Sequence, residues 1–274
     1  GLPLREQIPP LRLRLGTTRG TNALLTRSGA RTALVTTRGH GDFLQIGYQD
    51  RPQLFDLTIR KSAPLAERVL EIDERMAADG SVLISPNTDT VRQQLARLRA
   101  AGVESVGICL LHADRYPAHE RLVAGLARDV GFAQLSVSHE VAPLPKLVAR
   151  GETTVVDAYL NPVLKDYLDR LKQQLPGSQI RLMTSSGGLV AADAFHGHQS
   201  ILSGPAGGVV GFAQAAQAAG YARAIGFDMG GTSTDVSRFD ATQAGGAYAF
   251  QYESRKAGVR LITPMLAIDT VAAG

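Results

Sequence analysis

The segment from Val103 to Leu111 limits the possible folds more than any other stretch of this chain. It is nearly all apolar, and a helical pattern stands on either side of it. A strand that is apolar on both faces must be covered on both, which central strands of parallel sheets achieve through flanking crossover helices. The preceding helix is predicted over Asp89–Ala101, with Val91, Leu95 and Leu98 on one face. Asn87, Thr88 or Asp89 serves as its N-cap and Gly102 as its terminator. The following helix aligns Leu122, Leu126 and Val130 and closes at Gly131. The same alternation recurs elsewhere. Thr18–Ser28 reads as a helix stopped by Gly29, and Arg31–Thr37 as a strand. Gln179–Thr184 reads as a strand, Ser203–Ala219 as a helix and Arg223–Asp228 as another strand. Alternation of this kind predicts an α/β protein.

Two regions depart from the simple rhythm. Residues 67–85 read as a strand, an Asp79-Gly80 turn and a short return strand. Val141–Gly151, interrupted by Pro143 and Pro145, marks a boundary that divides 1–140 from 141–274 into two lobes. Beyond it, Thr153–Leu175 is the longest predicted helix, with Val156, Leu160, Leu164, Leu168, Leu171 and Leu175 near one face. Pro162 is expected to kink or divide it, because proline removes a backbone donor.

Composition removes several function classes. At 274 residues, 44% of them hydrophobic, the chain can bury a large core. Its 29 basic and 25 acidic residues leave a net charge of +4, and the arginines are scattered. With 5% aromatics and no tryptophan, neither a basic arm nor a stacking platform for nucleic acid is present in the sequence. The single cysteine, Cys109, excludes a disulfide framework and fits a reducing, cytoplasmic setting; its apolar neighbours predict burial. No signal peptide or membrane span is read, since the least polar helix, Gly204–Ala219, is broken by Gln214 and Gln217. The chain starts at Gly1 rather than Met and stops in mid-pattern at Ala272-Ala273-Gly274, which is expected of a fragment.

The segment Ile225-Gly226-Phe227-Asp228-Met229-Gly230-Gly231-Thr232-Ser233-Thr234-Asp235-Val236 carries the chemistry. An apolar strand ends in a carboxylate, turns on two glycines and leaves through a Thr/Ser-rich strand. Glycine amides without a Cβ let a phosphate approach the backbone closely, and Asp228 is suited to hold Mg²⁺ against the phosphate oxygens. A plain Gly-Gly hairpin with a turn-capping Asp has the same residues, and both readings stand at this point. Just upstream, Ser203-Gly204-Pro205-Ala206-Gly207-Gly208-Val209-Val210-Gly211 opens a helix, with Ser203 as N-cap and Pro205 in its first turn. Gly207, Gly208 and Gly211 give it a smooth face for another backbone or for a nucleotide, and its N-terminus favours an anion.

With these motifs in place, the sequence resembles the hydantoinase A / 5-oxoprolinase family of actin–hexokinase–Hsp70-type ATPases. The Asp228–Val236 segment looks like the family's second phosphate hairpin, and Ser203–Gly211 like the helix before it. Gly16-Thr17-Thr18 with Thr21-Asn22-Ala23-Leu24-Leu25 resembles its N-terminal substrate-side motif. The likeness continues through Arg31–Thr37, Gly41-Asp42, Ile46-Gly47, Arg51-Pro52, Phe55-Asp56-Leu57, Thr153-Thr154-Val155 and Ala158–Pro162.

The resemblance implies a two-lobed, ribonuclease-H-like α/β architecture, incomplete at both ends, that binds ATP and Mg²⁺. It implies ATP-dependent opening of 5-oxoproline or a hydantoin after phosphorylation of the ring carbonyl, together with a hydantoinase B-like subunit or domain in an oligomer. Asp228 would anchor the metal. Asp235 would polarise water or the metal shell, or serve as a structural hairpin residue. Gly230, Gly231, Thr232 and Ser233 would cradle phosphate with Gly204, Gly207 and Gly208 nearby, and Thr17, Thr18, Asn22 and Arg51 would face the substrate.

Three positions depart from the family pattern. Leu15 stands where a histidine is usual, Leu144-Pro145-Lys146 where Glu-Ile-Arg is usual, and Ser186 where an asparagine is common. They keep two alternatives in view: an ATP-dependent carboxylase subunit resembling acetone carboxylases, and a non-catalytic nucleotide-binding scaffold. The first phosphate hairpin of the family would lie upstream of Gly1, so the fragment alone is expected to be inactive. His196-Gly197-His198 reads as a solvated loop pair rather than a metal site, Ser186 and Ser203 lack a Gly-x-Ser-x-Gly setting, and Tyr159 and Tyr167 read as core or interface residues.

Overall fold

The computed structural model describes residues 9–49, 55, 57–58, 61–230, 233–243 and 247–272. The first elements are β1 (Arg12–Leu15), α1 (Arg19–Leu25), β2 (Thr32–Thr37), α2 (Phe43–Ile46) and β3 (Arg68–Ile72). Then come β4 (Arg75–Met76), β5 (Val82–Ile84), α3 (Thr88–Ala100), β6 (Ser105–Cys109), α4 (Ala118–Asp129), β7 (Gln134–Val137) and α5 (Ser138–Val141). The long α6 (Leu147–Gln174) leads to β8 (Gln179–Met183), β9 (Leu189–Ala191), α7 (Ser203–Ala218), β10 (Arg223–Met229) and β11 (Ser233–Asp240). Five short strands finish the described chain: β12 (Phe250–Gln251), β13 (Ser254–Lys256), β14 (Val259–Leu261), β15 (Met265–Leu266) and β16 (Ile268–Ala272). The fold is mixed α/β, as the alternating pattern predicts.

The chain forms two compact units that interleave in sequence. One comprises Gly1–Asn22, Leu164–Tyr252 and Pro264–Gly274; the other comprises Ala23–Val163 and Glu253–Thr263. The second unit is built on a four-stranded parallel sheet in the order β3-β2-β6-β7. Every residue of β2 and β6 is buried, which is why their sequences read as continuous apolar or small-residue runs. Val91 and Leu95 of α3 and Val123, Ala124, Leu126 and Ala127 of α4 belong to the same core as Val35, Val106 and Ile108. Asn87 is the N-cap of α3: its side-chain oxygen accepts the Thr90 amide at 2.9 Å, a cap that contributes about 1 kcal/mol.

The region 67–85 is subtler than a single hairpin. β3 joins the parallel sheet beside β2, and the antiparallel hairpin is formed by β4 and β5. Asp79 accepts both the amide and the hydroxyl of Ser81, while Gly80 takes φ 90°, a conformation that favours glycine.

The predicted start of α6 needs correction, and Pro162 does not divide the helix. The helix begins at Leu147, so Arg150 and Gly151 are helical, and it runs to Gln174 undivided although it contains Pro162. The early start rests on the buried Arg150, which donates to the Leu110 carbonyl at 2.6 Å and pairs with Asp114 at 2.5 Å. Gly151 lets the Phe43 ring lie against the helix, because a Cβ there would fall 2.3 Å from Phe43 Cζ. An interior proline costs about 3 kcal/mol. The flanking Val155, Val156, Ala158, Tyr159, Leu160, Leu164 and Leu168 are all buried, and burying a large apolar side chain returns roughly 1.5–3 kcal/mol. Packing on both sides of Pro162 therefore outweighs one lost backbone bond.

In the first unit, β1 pairs in parallel with β8, and β9 adds antiparallel to β8. Leu164 and Leu168 of α6 pack there with Ile180, Leu182 and Phe195. A second sheet, β10-β11-β16, is antiparallel throughout, and one of its faces carries α7. The β13–β14 hairpin belongs to the other unit. Its turn residues Ala257 and Gly258 have φ 49° and 80°, the paired positive values of a tight hairpin, and the Ile262 amide beyond it donates to Thr153 of α6 at 3.0 Å.

Candidate functional site

The start of α7 is fastened to the N-terminal motif residue by residue. Leu202 lies in the left-handed region, φ 58° and ψ 20°, and its amide donates to Thr21 Oγ1 at 3.0 Å. Ser203 is the first helical residue rather than the N-cap predicted for it. Its buried hydroxyl donates to the Thr17 carbonyl at 2.9 Å and accepts the Thr17 amide at 3.4 Å. The hydroxyl is therefore spent on a tertiary link and is not offered to its own helix. A Cβ at Gly16 would lie 2.9 Å from Gly204 Cα and 3.0 Å from the Ser203 carbonyl oxygen, so only glycine permits this approach of two backbones.

These links set the positions of the substrate-side candidates. Thr17 is buried, and its hydroxyl accepts the Arg19 amide at 3.2 Å where the chain turns into α1. Thr18 is exposed beside Gly204, and its carbonyl accepts the Asn22 amide at 2.8 Å; Asn22 is exposed on α1. Thr17, Thr18 and Gly204 are thus brought together. Arg51 lies outside the described residues, as do Gly231, Thr232 and the side chain of Ser233.

The hairpin is a regular antiparallel pair. Phe227 faces Val236, Asp228 faces Asp235, and Met229 faces Thr234; Gly230 at the tip is exposed. Two carboxylates therefore occupy one rung, an arrangement that is unfavourable by itself because like charges directly opposite repel. Asp235 is half-buried and accepts the Thr270 hydroxyl from β16 at 2.7 Å, while Asp228 is exposed. Gly226 brings β10 against α7: a Cβ there would fall 2.2 Å from Phe212 Cε1. Beside that contact is a cavity of about 140 Å³, lined by Pro205 and Gly208 of α7 and by Asp228, Asp235 and Ser237 of the hairpin.

The α7 glycines border two cavities. Gly208 looks toward the carboxylate pair, whereas Gly204, Gly207 and Gly211 line a separate depression of about 480 Å³ with Leu15 and Met183. A Cβ at Gly208 or Gly211 would meet nothing within 4 Å, so the space above each is open. Among the described residues, no group of three or more His, Cys, Asp or Glu side chains is placed to hold a metal, and no helix is long and apolar enough to cross a membrane.

A set of buried polar residues escaped sequence reasoning. In the parallel-sheet unit, Glu74 receives the Thr37 hydroxyl on one oxygen and meets His119 Nδ1 at 2.7 Å with the other. Glu120 accepts the Leu110 amide at 2.8 Å, the Ser138 hydroxyl at 2.5 Å and the His139 amide at 3.1 Å, and lies 2.7 Å from His139 Nδ1. These carboxylates brace the ends of β2 and β6 against α4 and α5. Burial pushes the Cys109 thiol up to about 11, so it is inert at neutral pH, as its apolar setting predicts. His198 is buried with its ring 5.9 Å from that of His196, which corrects the expectation of a solvated pair. Tyr159 is in the core as expected, and Tyr167 lies under the Arg19 guanidinium at 5.0 Å.

Comparison with known proteins agrees with the motifs. Residues 150–274 match the family described as Hydantoinase/oxoprolinase, and residues 8–131 match the Hydantoinase/oxoprolinase N-terminal region. The chain is 41% identical over 293 residues to 5-oxoprolinase of Saccharomyces cerevisiae, a match that covers 96% of this chain and 22% of that protein. Among solved structures it is similar to the ATP-dependent caprolactamase from Pseudomonas jessenii, with a TM-score of 0.83 and 30% identity over 96% of this chain and 39% of that one. A nucleotide-free acetone carboxylase matches with a TM-score of 0.79 and 26% identity over 95% of this chain and 39% of that one. The chain thus spans about a fifth of the length of the oxoprolinase relative and two fifths of each solved chain.

Proposed function

Since this chain belongs to the hydantoinase/oxoprolinase family, we propose that it is part of an ATP-dependent enzyme that opens a small cyclic amide. The observation that carries this reading is the carboxylate rung Asp228–Asp235 facing the glycine-bearing start of α7 across an open cavity. Two like charges held at one rung favour a cation between or beside them, and an all-oxygen donor set suits Mg²⁺. The residues present therefore fit the metal. Mg-ATP supplies the phosphoryl group that makes a ring carbonyl a better electrophile for water.

The chain's own residues do the positioning. Asp228, exposed at the strand end, holds the cation, and Asp235, oriented by the Thr270 hydroxyl, orders its water shell. Gly230, Gly231, Thr232 and Ser233 offer amides and hydroxyls to phosphate at the hairpin tip, and Gly208 leaves the opposite wall open. Thr18 and Asn22 face the ring, while Thr17 and Gly204 join the substrate-side motif to α7. The finer architecture is ribonuclease-H-like and two-lobed, and the whole protein works with a hydantoinase B-type subunit or domain. The similarity to acetone carboxylase, with leucine at position 15, supports a second reading in which the phosphoryl acceptor is an acyclic ketone or bicarbonate.

Turnover of ATP by the whole protein with its B-type subunit tests the reading, using 5-oxoproline, a hydantoin, acetone and bicarbonate in parallel. Ring-dependent ADP release is expected; turnover with acetone or bicarbonate alone selects the carboxylase reading, and none with any substrate overturns both. Asp228→Asn should weaken Mg-ATP binding about 10- to 100-fold. Without nucleotide the same variant should be unchanged or more stable by about 0.2–1 kcal/mol, because the like-charge rung is relieved. Equal Mg-ATP affinity in the variant would remove Asp228 from the metal site.

A further inference from the structure

The face of β1 and β8 turned away from α6 carries three arginines and no acid. Leu13, Leu15, Ile180 and Leu182 pack with Leu164 and Leu168 of α6. Side chains alternate across a strand, so Arg12, Arg14 and Arg181 lie exposed on the opposite face. Arg14 stands in register with Arg181. β1, β8 and β9 contain no Asp or Glu. Among the described residues no ion pair involves any of the three arginines. The exposed Arg31 and Arg38, by contrast, are answered by Glu67 at 2.7 Å and Asp73 at 2.6 Å. Neighbouring like charges repel, so the face is kept at a cost that an acidic neighbour would remove.

Arg14 also borders the depression of about 480 Å³, which Met183 and Leu189 line from this sheet and Val210 from α7. Its α7 wall carries Gly207 and Gly211, one turn apart, and a helix can settle against such a wall at an axis separation of about 8 Å. All of these residues belong to one compact unit. No aromatic side chain stands on the three strands or in the depression, which disfavours nucleic acid. The occupant that satisfies both features is amphipathic, with apolar side chains toward Met183 and Val210 and carboxylates toward the arginines.

We infer that this face holds an acidic amphipathic helix from the part of the same polypeptide that lies outside these 274 residues. The chain spans 22% of the Saccharomyces cerevisiae 5-oxoprolinase and 39% of the caprolactamase chain, so relatives have the length to supply one. An exposed charge pair contributes roughly 1.4- to 5-fold. That is little for a separate molecule but enough for a tethered segment, whose effective concentration is millimolar. The inference needs neither ATP nor turnover, so it and the proposed reaction can fail separately.

In the whole polypeptide, Arg14→Lys and Arg181→Lys keep the charge and add an amine that a carbodiimide couples to a carboxylate in direct contact. Peptide mass spectrometry then identifies the partner. Each lysine should be joined to Asp or Glu of one segment outside residues 1–274. Arg181→Glu should speed amide exchange across that segment by roughly 1.4- to 5-fold, and changing the coupled carboxylate to lysine should restore protection. In the 274-residue chain the same Arg181→Glu change should leave the urea midpoint unchanged or raised, because a repulsion is removed. The inference is overturned if the lysines couple to nothing, only to carboxylates within residues 1–274, or only to a second subunit. It is equally overturned if the reversed pair fails to restore protection, if the 274-residue variant is less stable, or if the whole polypeptide binds heparin saturably through Arg14 and Arg181.

Discussion

Replacing Ser203 by alanine isolates the link between the N-terminal motif and α7. Ser203 is fully buried, and its hydroxyl serves both backbone groups of the buried Thr17. The donated bond, at 2.9 Å, is of ordinary strength; the accepted one, at 3.4 Å, lies beyond the usual range and contributes little. Alanine removes the first and leaves a carbonyl in a dry setting, which costs about 1–3 kcal/mol. Cavity formation adds little, because one oxygen atom is deleted. With a urea dependence of about 2–3 kcal/mol/M, the midpoint should fall by roughly 0.3–1.5 M at unchanged slope. Since the chain has two compact units, amide exchange provides the local readout: Thr17 and Leu202 should lose protection, while the β2 and β6 amides should keep theirs. Thr21→Val removes the acceptor of the Leu202 amide, and the double variant should cost less than the sum because both contacts hold one junction. An unshifted midpoint together with unchanged exchange at Thr17 would refute the reasoning.

Two further outcomes follow from the buried and paired groups. In the native chain at pH 8, Cys109 should resist iodoacetamide and react only after unfolding, because burial holds the thiol protonated; stoichiometric labelling of folded protein would contradict its placement. The Asp240 carboxylate accepts the hydroxyl and amide of Thr242 and pairs with Arg238, which holds it well below the usual carboxylate range. A depressed folded value means the stabilisation is complete above about pH 5 and is lost as pH falls through 4 and below. Asp240→Asn should therefore flatten the acid side of the stability–pH curve, and parallel curves for variant and wild type between pH 2 and 6 would count against the pairing.

Much of the scaffold was legible because a few residues face strong local constraints. Val103–Leu111 reads as a strand buried on both faces, and β6 is one. Asn87 and Gly102 punctuate α3 as caps do anywhere. The hairpin motif reads as an apolar strand, a glycine turn and a Thr/Ser-rich strand, and β10 and β11 pair in that order; the register that sets Asp228 opposite Asp235 is not centred on the two glycines and was not readable from them. What stayed hidden depends on partners distant in sequence. Arg150 starts α6 early because of Asp114, 36 residues away, and the prolines at 143 and 145 masked that start. His119 and Glu74 meet across 45 residues, and neither has a local signature. Thr17 reads as a substrate contact by motif, yet it and the adjacent Gly16 engage the hydroxyl and backbone at the start of α7, 186 residues on in the case of Thr17 and Ser203.

The interleaving of the two units also sets an order in time. β1 leaves the ribosome before its parallel partner β8, which is translated about 167 residues later. Elongation at about 5–20 residues per second makes that wait roughly 8–33 seconds. The β2-β3-β6-β7 sheet is translated in full during the interval, so the inserted unit has time to fold while the edges of β1 stand open. Codon usage or chaperone supply across residues 23–163 should therefore govern the yield of folded protein more strongly than changes near β10–β11, which pair within a few residues of synthesis.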